Sequence, residues 1–254
     1  MQRWGMVGIV LAVVALFGGT TSARAGEGVL ELRIYTCEPG KLAACNERFR
    51  DHTMQLFEKH GMKNIAYWEA SEGPTAGNTL YYIIHHASRD AAKKSWADFQ
   101  ADPEWQAVRK ASEEKHGKIL AKAPESIYMT ETDYSPPTEK ARQDKVYELR
   151  IYTAAEGKLA DVNSRFREHT EKLFNKHGMR SIGYWSPTDE PKSKNQMWYV
   201  LEHASRDAAT ASWKAFVSDP EWQAVAKKTE ANGKLLEKAP EFVYLKTVDY
   251  SPKP

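Results

Sequence analysis

The sequence predicts an α+β fold made twice from one template, on three observations. The hexapeptide Glu31-Leu-Arg-Ile-Tyr-Thr36 returns unchanged as Glu148-Leu-Arg-Ile-Tyr-Thr153. Laid without a gap, Val146–Val225 matches Val29–Val108 at 46 of 80 positions. Within each copy, apolar residues recur first with a strand period and then with a helix period, in the order β-α-β-β-α-β. That order is the split βαβ unit of ferredoxin-like domains.

The opening strand places Leu30, Leu32 and Ile34 on one face and Glu31, Arg33 and Tyr35 on the other. A turn at Pro39-Gly-Lys41 leads into a helix expected from about Leu42 to His60. There Leu42, Cys45, Phe49, Thr53 and Leu56 form an apolar stripe that also takes in His52. Gly61 suits the left-handed position after a helix end. Ile65–Trp68 reads as a second strand, and Leu80–His86, apolar on both faces, as a central third. Between them, Gly73, Pro74 and Gly77 mark a hairpin loop. Ser88 offers an N-cap for the next helix. Asp102-Pro103-Glu104-Trp105 restarts a helix: Asp caps, Pro occupies the first turn, and Glu meets the positive end of the helix dipole. Ser126–Thr130 supplies the fourth strand. The second copy repeats the series, one residue shorter inside its last helix, so that Gly233 answers Gly117.

A four-stranded sheet with helices on one side leaves its other face bare. Two such sheets in one chain can cover each other, closing into an α/β barrel. The face assigned to that closure carries Arg33, Tyr35, Arg150 and Tyr152. Pairing of each half with a second chain, giving a homodimer, is the alternative. The expected organisation is a leader over residues 1–25, one domain over 26–134, a Pro-containing polar linker over 135–144, and a second domain over 145–254.

The leader has the parts of a secretory signal: Arg3, the apolar run Gly5–Phe17, and the small-x-small site Ala23-Arg-Ala25. The run is shorter than a bilayer requires, which disfavours a retained membrane anchor. Periplasmic or secreted localisation is the resulting expectation. The full chain holds 36 Lys and Arg against 34 Asp and Glu. Removing Arg3 and Arg24 with the leader leaves the two in balance. With no basic block, the sequence makes no case for nucleic acid or an anionic membrane. Cys37 and Cys45, absent from the second copy, are a candidate disulfide or two packed thiols.

The ordered motifs Glu31–Thr36, Gly40-Lys-Leu42, His52, Lys59-His-Gly-Met62, Tyr67-Trp68 and Asp102-Pro-Glu-Trp-Gln106, with their second-copy counterparts, resemble the NIPSNAP family over nearly the whole mature chain. The resemblance implies dimeric α/β barrels of ferredoxin-like halves. Members include proteins thought to act in vesicle transport and mitochondrial quality control, roles that an exported tandem protein would not inherit. Related barrel families include haem-handling enzymes, cofactor-free oxygenases and isomerases.

Chemistry is harder to place. Neither HExxH, GxSxG nor a glycine-rich phosphate loop occurs, so no cofactor is expected. His85 and His86 point to opposite faces of a strand, and His52 and His60 lie too far apart on a helix to chelate together. No metal site is expected within one element; one assembled across strands, such as His52 with His86, stays open. His52 and His169 read as core histidines or as general bases facing the sheet. Arg33 and Arg150 read as members of an ion-pair network or as an anion clamp inside the barrel. Trp68, at a strand end, is the expected pocket wall, with Trp185 as its counterpart, while Trp96, Trp105, Trp213 and Trp222 read as packing residues.

Three functions fit these readings. One is a module binding a small, largely apolar ligand between helices and sheet, oriented by Arg33, Tyr35, His52, Trp68 and His86, or by Arg150, Tyr152, His169, Trp185 and His203. Another is a cofactor-free oxygenase or isomerase with His52 or His169 as base. The third is a structural or partner-binding protein.

Overall fold

The computed structural model describes residues 28–254; the leader lies outside them. The first half contains β1 (Val29–Thr36), α1 (Leu42–Arg48), a π-helical turn (Phe49–Thr53), α2 (Met54–Lys59), β2 (Lys63–Ala70), β3 (Thr79–His86), α3 (Arg89–Ala101), α4 (Pro103–His116) and β4 (Glu125–Glu131). The second contains β5 (Val146–Thr153), α5 (Leu159–Arg165), a π-helical turn (Phe166–Thr170), α6 (Glu171–Lys176), β6 (Arg180–Pro187), the short α7 (Lys192–Asn195), β7 (Gln196–His203), α8 (Arg206–Ser218), α9 (Pro220–Thr229) and β8 (Glu241–Thr247).

The expected caps are in place. Ser88 Oγ accepts from Ala91 N–H, and an Asp102 carboxylate oxygen accepts from Glu104 N–H. The predicted helix over Leu42–His60 is broken by its π-helical turn, where Met54 N–H donates to the Phe49 carbonyl, five residues back. Thr53 Oγ donates to the Arg48 carbonyl at 3.1 Å, and Thr170 to Arg165 at the same distance. The extra residue in the turn rotates the remainder of the helix about its axis.

All strand pairs are antiparallel and close a barrel in the order β1-β3-β2-β8-β5-β7-β6-β4. Each half contributes a four-stranded sheet in ferredoxin-like order. The seams are β2 with β8, where Trp68 faces Thr247, and β4 with β6, where Met129 faces Pro187. Sheet pairing within one chain is therefore what forms the barrel.

The barrel interior is packed with side chains of both halves, among them Leu30, Leu32, Trp68, Met129, Tyr147 and Trp185. This reverses the face assignment made from sequence. The Leu30-Leu32-Ile34 row lines the barrel, while Glu31, Arg33 and Tyr35 lie beneath the helices. The interior cluster is made of apolar and aromatic side chains that would leave a guanidinium unpaired, whereas the helix layer gives Arg33 the Glu31 carboxylate and the Trp96 ring. The linker spans the barrel mouth: Ala141 is buried in the interior cluster, Arg142 N–H donates to Tyr147 Oη at 2.6 Å, and Trp185 Nε1 donates to Thr138.

The halves also exchange their tails. Tyr250, from the end of the second half, packs on the helix–sheet core of the first, and its hydroxyl donates to Asn46 at 2.8 Å. Tyr134 does the same for the second half through Asn163, also at 2.8 Å. Ser251 and Ser135 accept the backbone N–H groups of Tyr67 and Tyr184 across the two seams.

Candidate functional site

Between sheet and helices, each half buries one carboxylate in a dense set of donors. In the first, Glu31 receives His86 Nε2 at 2.8 Å, Trp96 Nε1 at 2.7 Å and Arg33 Nη1 at 2.9 Å, with Ser126 Oγ as a fourth donor. In the second, Glu148 receives His203 Nε2 at 3.0 Å, Trp213 Nε1 at 2.6 Å and Arg150 Nη1 at 2.6 Å. Burial alone would raise a carboxyl pKa. The bonds from His86, Ser126 and Trp96 and the charge of Arg33 overcome it and hold Glu31 at about 2, and Glu148 is lowered by the same kinds of partner. The contact at His86 needs a proton on Nε2, and Nδ1 of both His86 and His203 has no partner. These histidines orient the carboxylate and have no exposed surface.

Arg33 lies over the Trp96 ring, 4.5 Å from its centroid, and Arg150 over Trp213 at 4.2 Å. In the first half this stacked pair forms the floor of a cavity of about 620 Å³, walled by Tyr35, Arg48, Trp96, Trp105 and Arg109. Arg48, at the end of α1, is 5% exposed, and its guanidinium lies 5.5 Å from the Trp105 ring centroid. The π-helical turn begins at the next residue, and Phe49 and Thr53 face the same cavity.

The other predicted site residues fall elsewhere. His52 is exposed and His169 half-exposed, because the π-helical turn carries both off the sheet-facing stripe. His52 lines an outer cleft with Glu47, Lys115 and His116. His169 lies 3.8 Å from Glu168. The expectation that either faces the sheet is corrected. Trp68 and Trp185 are fully buried inside the barrel, with Trp68 5.7 Å from the Tyr147 ring, so neither walls the helix–sheet cavity. Trp96 and Trp105, taken as packing residues, do so instead. Tyr35 and Tyr152 pack on Phe49 and Phe166, each at 5.4 Å. Among the described residues, no cluster of three His, Cys, Asp or Glu side chains could hold a metal ion. Cys37 and Cys45 are free thiols buried in the same core cluster of the first half.

Sequence reasoning missed Arg48. Its signal was present: an arginine kept in both copies, beside the apolar stripe and one residue before Phe49.

These features define a single-chain α/β barrel of two ferredoxin-like domains, with polar carboxylate-arginine centres under the helices. The chain belongs to the NIPSNAP family, whose sequence profile matches residues 30–136 and again 147–252. Its backbone is similar to that of an anthrone oxidase-like protein, with a TM-score of 0.59 and 11% identity over 88% of this chain and 92% of the other. A monooxygenase-like protein from Lactobacillus acidophilus NCFM superposes with a TM-score of 0.53 and 11% identity, over 87% and 96% of the two chains. At this identity the likeness is one of fold. A NIPSNAP family protein from Agrobacterium tumefaciens str. C58 is 26% identical, covering 42% of this chain and 97% of its own, with a TM-score of 0.38. No curated protein is significantly similar in sequence.

Proposed function

We propose that this protein is an exported small-molecule-binding module whose ligand sits in the helix–sheet cavity of the first half. The observation that carries this reading is the cavity itself. It reaches from the surface to the half-buried Arg33–Trp96 pair, and its volume of about 620 Å³ falls within the range of roughly 300–1,000 Å³ typical of ligand pockets. Aromatic faces supply apolar area, and the donor-held Glu31 fixes Arg33 so that the floor is preorganised. The barrel is filled around the Trp68–Tyr147 contact, and the spaces at its ends, about 370 Å³ beside Leu30 and Met129 and about 270 Å³ beside Ile34 and Leu149, are smaller. A histidine-based oxygenase or isomerase is the weaker reading, since His52 lies on an outer cleft.

Thermal unfolding against a panel of apolar metabolites tests the proposal. A ligand at a hundredfold excess over its Kd adds about 2.7 kcal/mol of stability, and Trp96→Ala should remove that shift for the same compound. A hit whose shift survives Trp96→Ala binds elsewhere, and the proposed site falls. Export is tested by N-terminal sequencing of the processed protein, expected to begin at Gly26.

A further inference from the structure

We infer that the first-half cavity takes a carboxylic acid, with the carboxylate on Arg48 and the apolar body between Trp96 and Trp105; this rests on the reading of that cavity as a ligand site. Four observations carry it.

Arg48 is 5% exposed and its Nε has no partner; among the described residues its side chain makes no salt bridge and no hydrogen bond, and its one ring contact is with Trp105. A buried, unpaired arginine is costly, and a bidentate carboxylate is the partner its planar fork fits.

The second copy shows such a partner in place. Arg165 is the counterpart of Arg48 and equally buried, at 4% exposure; its Nη1 lies 3.0 Å from Glu230. It also stands over Trp222, 5.3 Å from the ring centroid, as Arg48 does over Trp105. Glu230 is therefore an internal carboxylate on the arginine that in the first half has none.

The chain explains the difference. Glu113 aligns with Glu230, but α4 continues to His116 and keeps Glu113 on a helical turn, whereas α9 stops at Thr229 and leaves Glu230 in the turn beyond it. The one-residue shortening of the second copy falls there.

Finally, the charge around the cavity differs. Of the cations lining it with Glu113, Arg33 is paired with Glu31 and Lys118 with Glu38 at 2.7 Å, which leaves Arg48 and Arg109, and the counterpart of Arg109 is Ala226. The first half is thus an open carboxylate site and the second a self-occupied one.

Calorimetric titration of the full mature chain tests this, using phenylacetate, cinnamate and octanoate, each against its neutral amide. At least one acid should bind with one equivalent, and roughly tenfold or more tightly than its amide. Arg48→Met should reduce the acid to the level of the amide. Glu230→Ala, which frees Arg165, should add a second equivalent, a gain that a misfolded protein cannot imitate. If amides bind as well as acids, or acids bind Arg48→Met unchanged, the carboxylate assignment is overturned while the cavity stands as a ligand site. If Glu230→Ala adds no equivalent, Glu230 does not occupy a ligand position and the inference falls. Failure of every acid and every amide to bind would remove both readings.

Discussion

His86 Nε2 stands 2.8 Å from Glu31 Oε2, and neither side chain has any exposed surface. The contact ties β3 to β1 under the helix layer, and Trp96 adds α3 to the same oxygen. Replacing Glu31 by Gln keeps the shape but removes the charge that Arg33 and the other donors share. The expected cost is about 3 kcal/mol, read as a lower midpoint in urea with an unchanged slope. A variant as stable as the parent would show that the carboxylate is dispensable to the fold.

The same group sets an acid limit. Its folded pKa, about 2, lies below the ordinary value of 4.5, so its contribution is complete above about pH 4.5 and is lost as the pH falls towards 2. The size of that contribution is about 3 kcal/mol. Stability measured from pH 6 to 2.5 should decline with protons taken up on unfolding, and Glu31→Gln should flatten that decline. An equal slope in both proteins would assign the acid sensitivity elsewhere.

Thr53 and Thr170 each hold a π-helical turn through a buried hydroxyl on the carbonyl of Arg48 or Arg165. Thr53→Ala should cost about 1 kcal/mol. In the first half it should also weaken ligand binding, because the lost bond anchors the Arg48 carbonyl at the start of that turn. Equal effects of Thr53→Ala and Thr170→Ala on binding would contradict the placement of the open site.

Residues 26–134 expressed alone would bare the Leu30-Leu32-Ile34 face and lack Tyr250 and Ser251, which complete the first half's core. Light scattering after size exclusion should find dimers or larger species in place of monomer. A stable, cooperative monomer would mean that barrel closure contributes little.

Cys37 and Cys45 are free thiols buried in one core cluster. Oxidative folding should join them, closing a short loop worth about 2.5 kcal/mol in the chain-entropy picture. Intact mass under non-reducing conditions should show loss of two hydrogens, and reduction should lower the melting temperature. Free thiols after oxidative folding would show that the packing around them resists closure.

The duplication, the element order and the barrel were legible because a repeated template with one bare sheet face has few ways to satisfy itself. The β1 faces were separated correctly but assigned the wrong way round. Alternation distinguishes two sides without saying which meets the other sheet, and in a barrel wrapped by helices both sides are buried. His52 was misplaced for a local reason. A stripe drawn at 3.6 residues per turn cannot anticipate the five-residue turn at Phe49–Thr53, which turns His52 outward. Glu31 and His86 were each noticed, but their contact depends on strand register, where Glu31 stands opposite Ile84 and His86 opposite Val29, and on the χ angles that bring them together. Arg48 was overlooked because a charged residue beside an apolar stripe normally reads as solvated.

The exchange of tails through Tyr134 and Tyr250 welds the repeats into one object. A pair of identical subunits related by a twofold axis must change both copies of a residue whenever it changes one. Here Glu230 meets Arg165 while Arg48 has no carboxylate partner among the described residues, and α9 ends earlier than α4. One chain lets its two halves vary independently, and so lets them differ in what surrounds the same arginine.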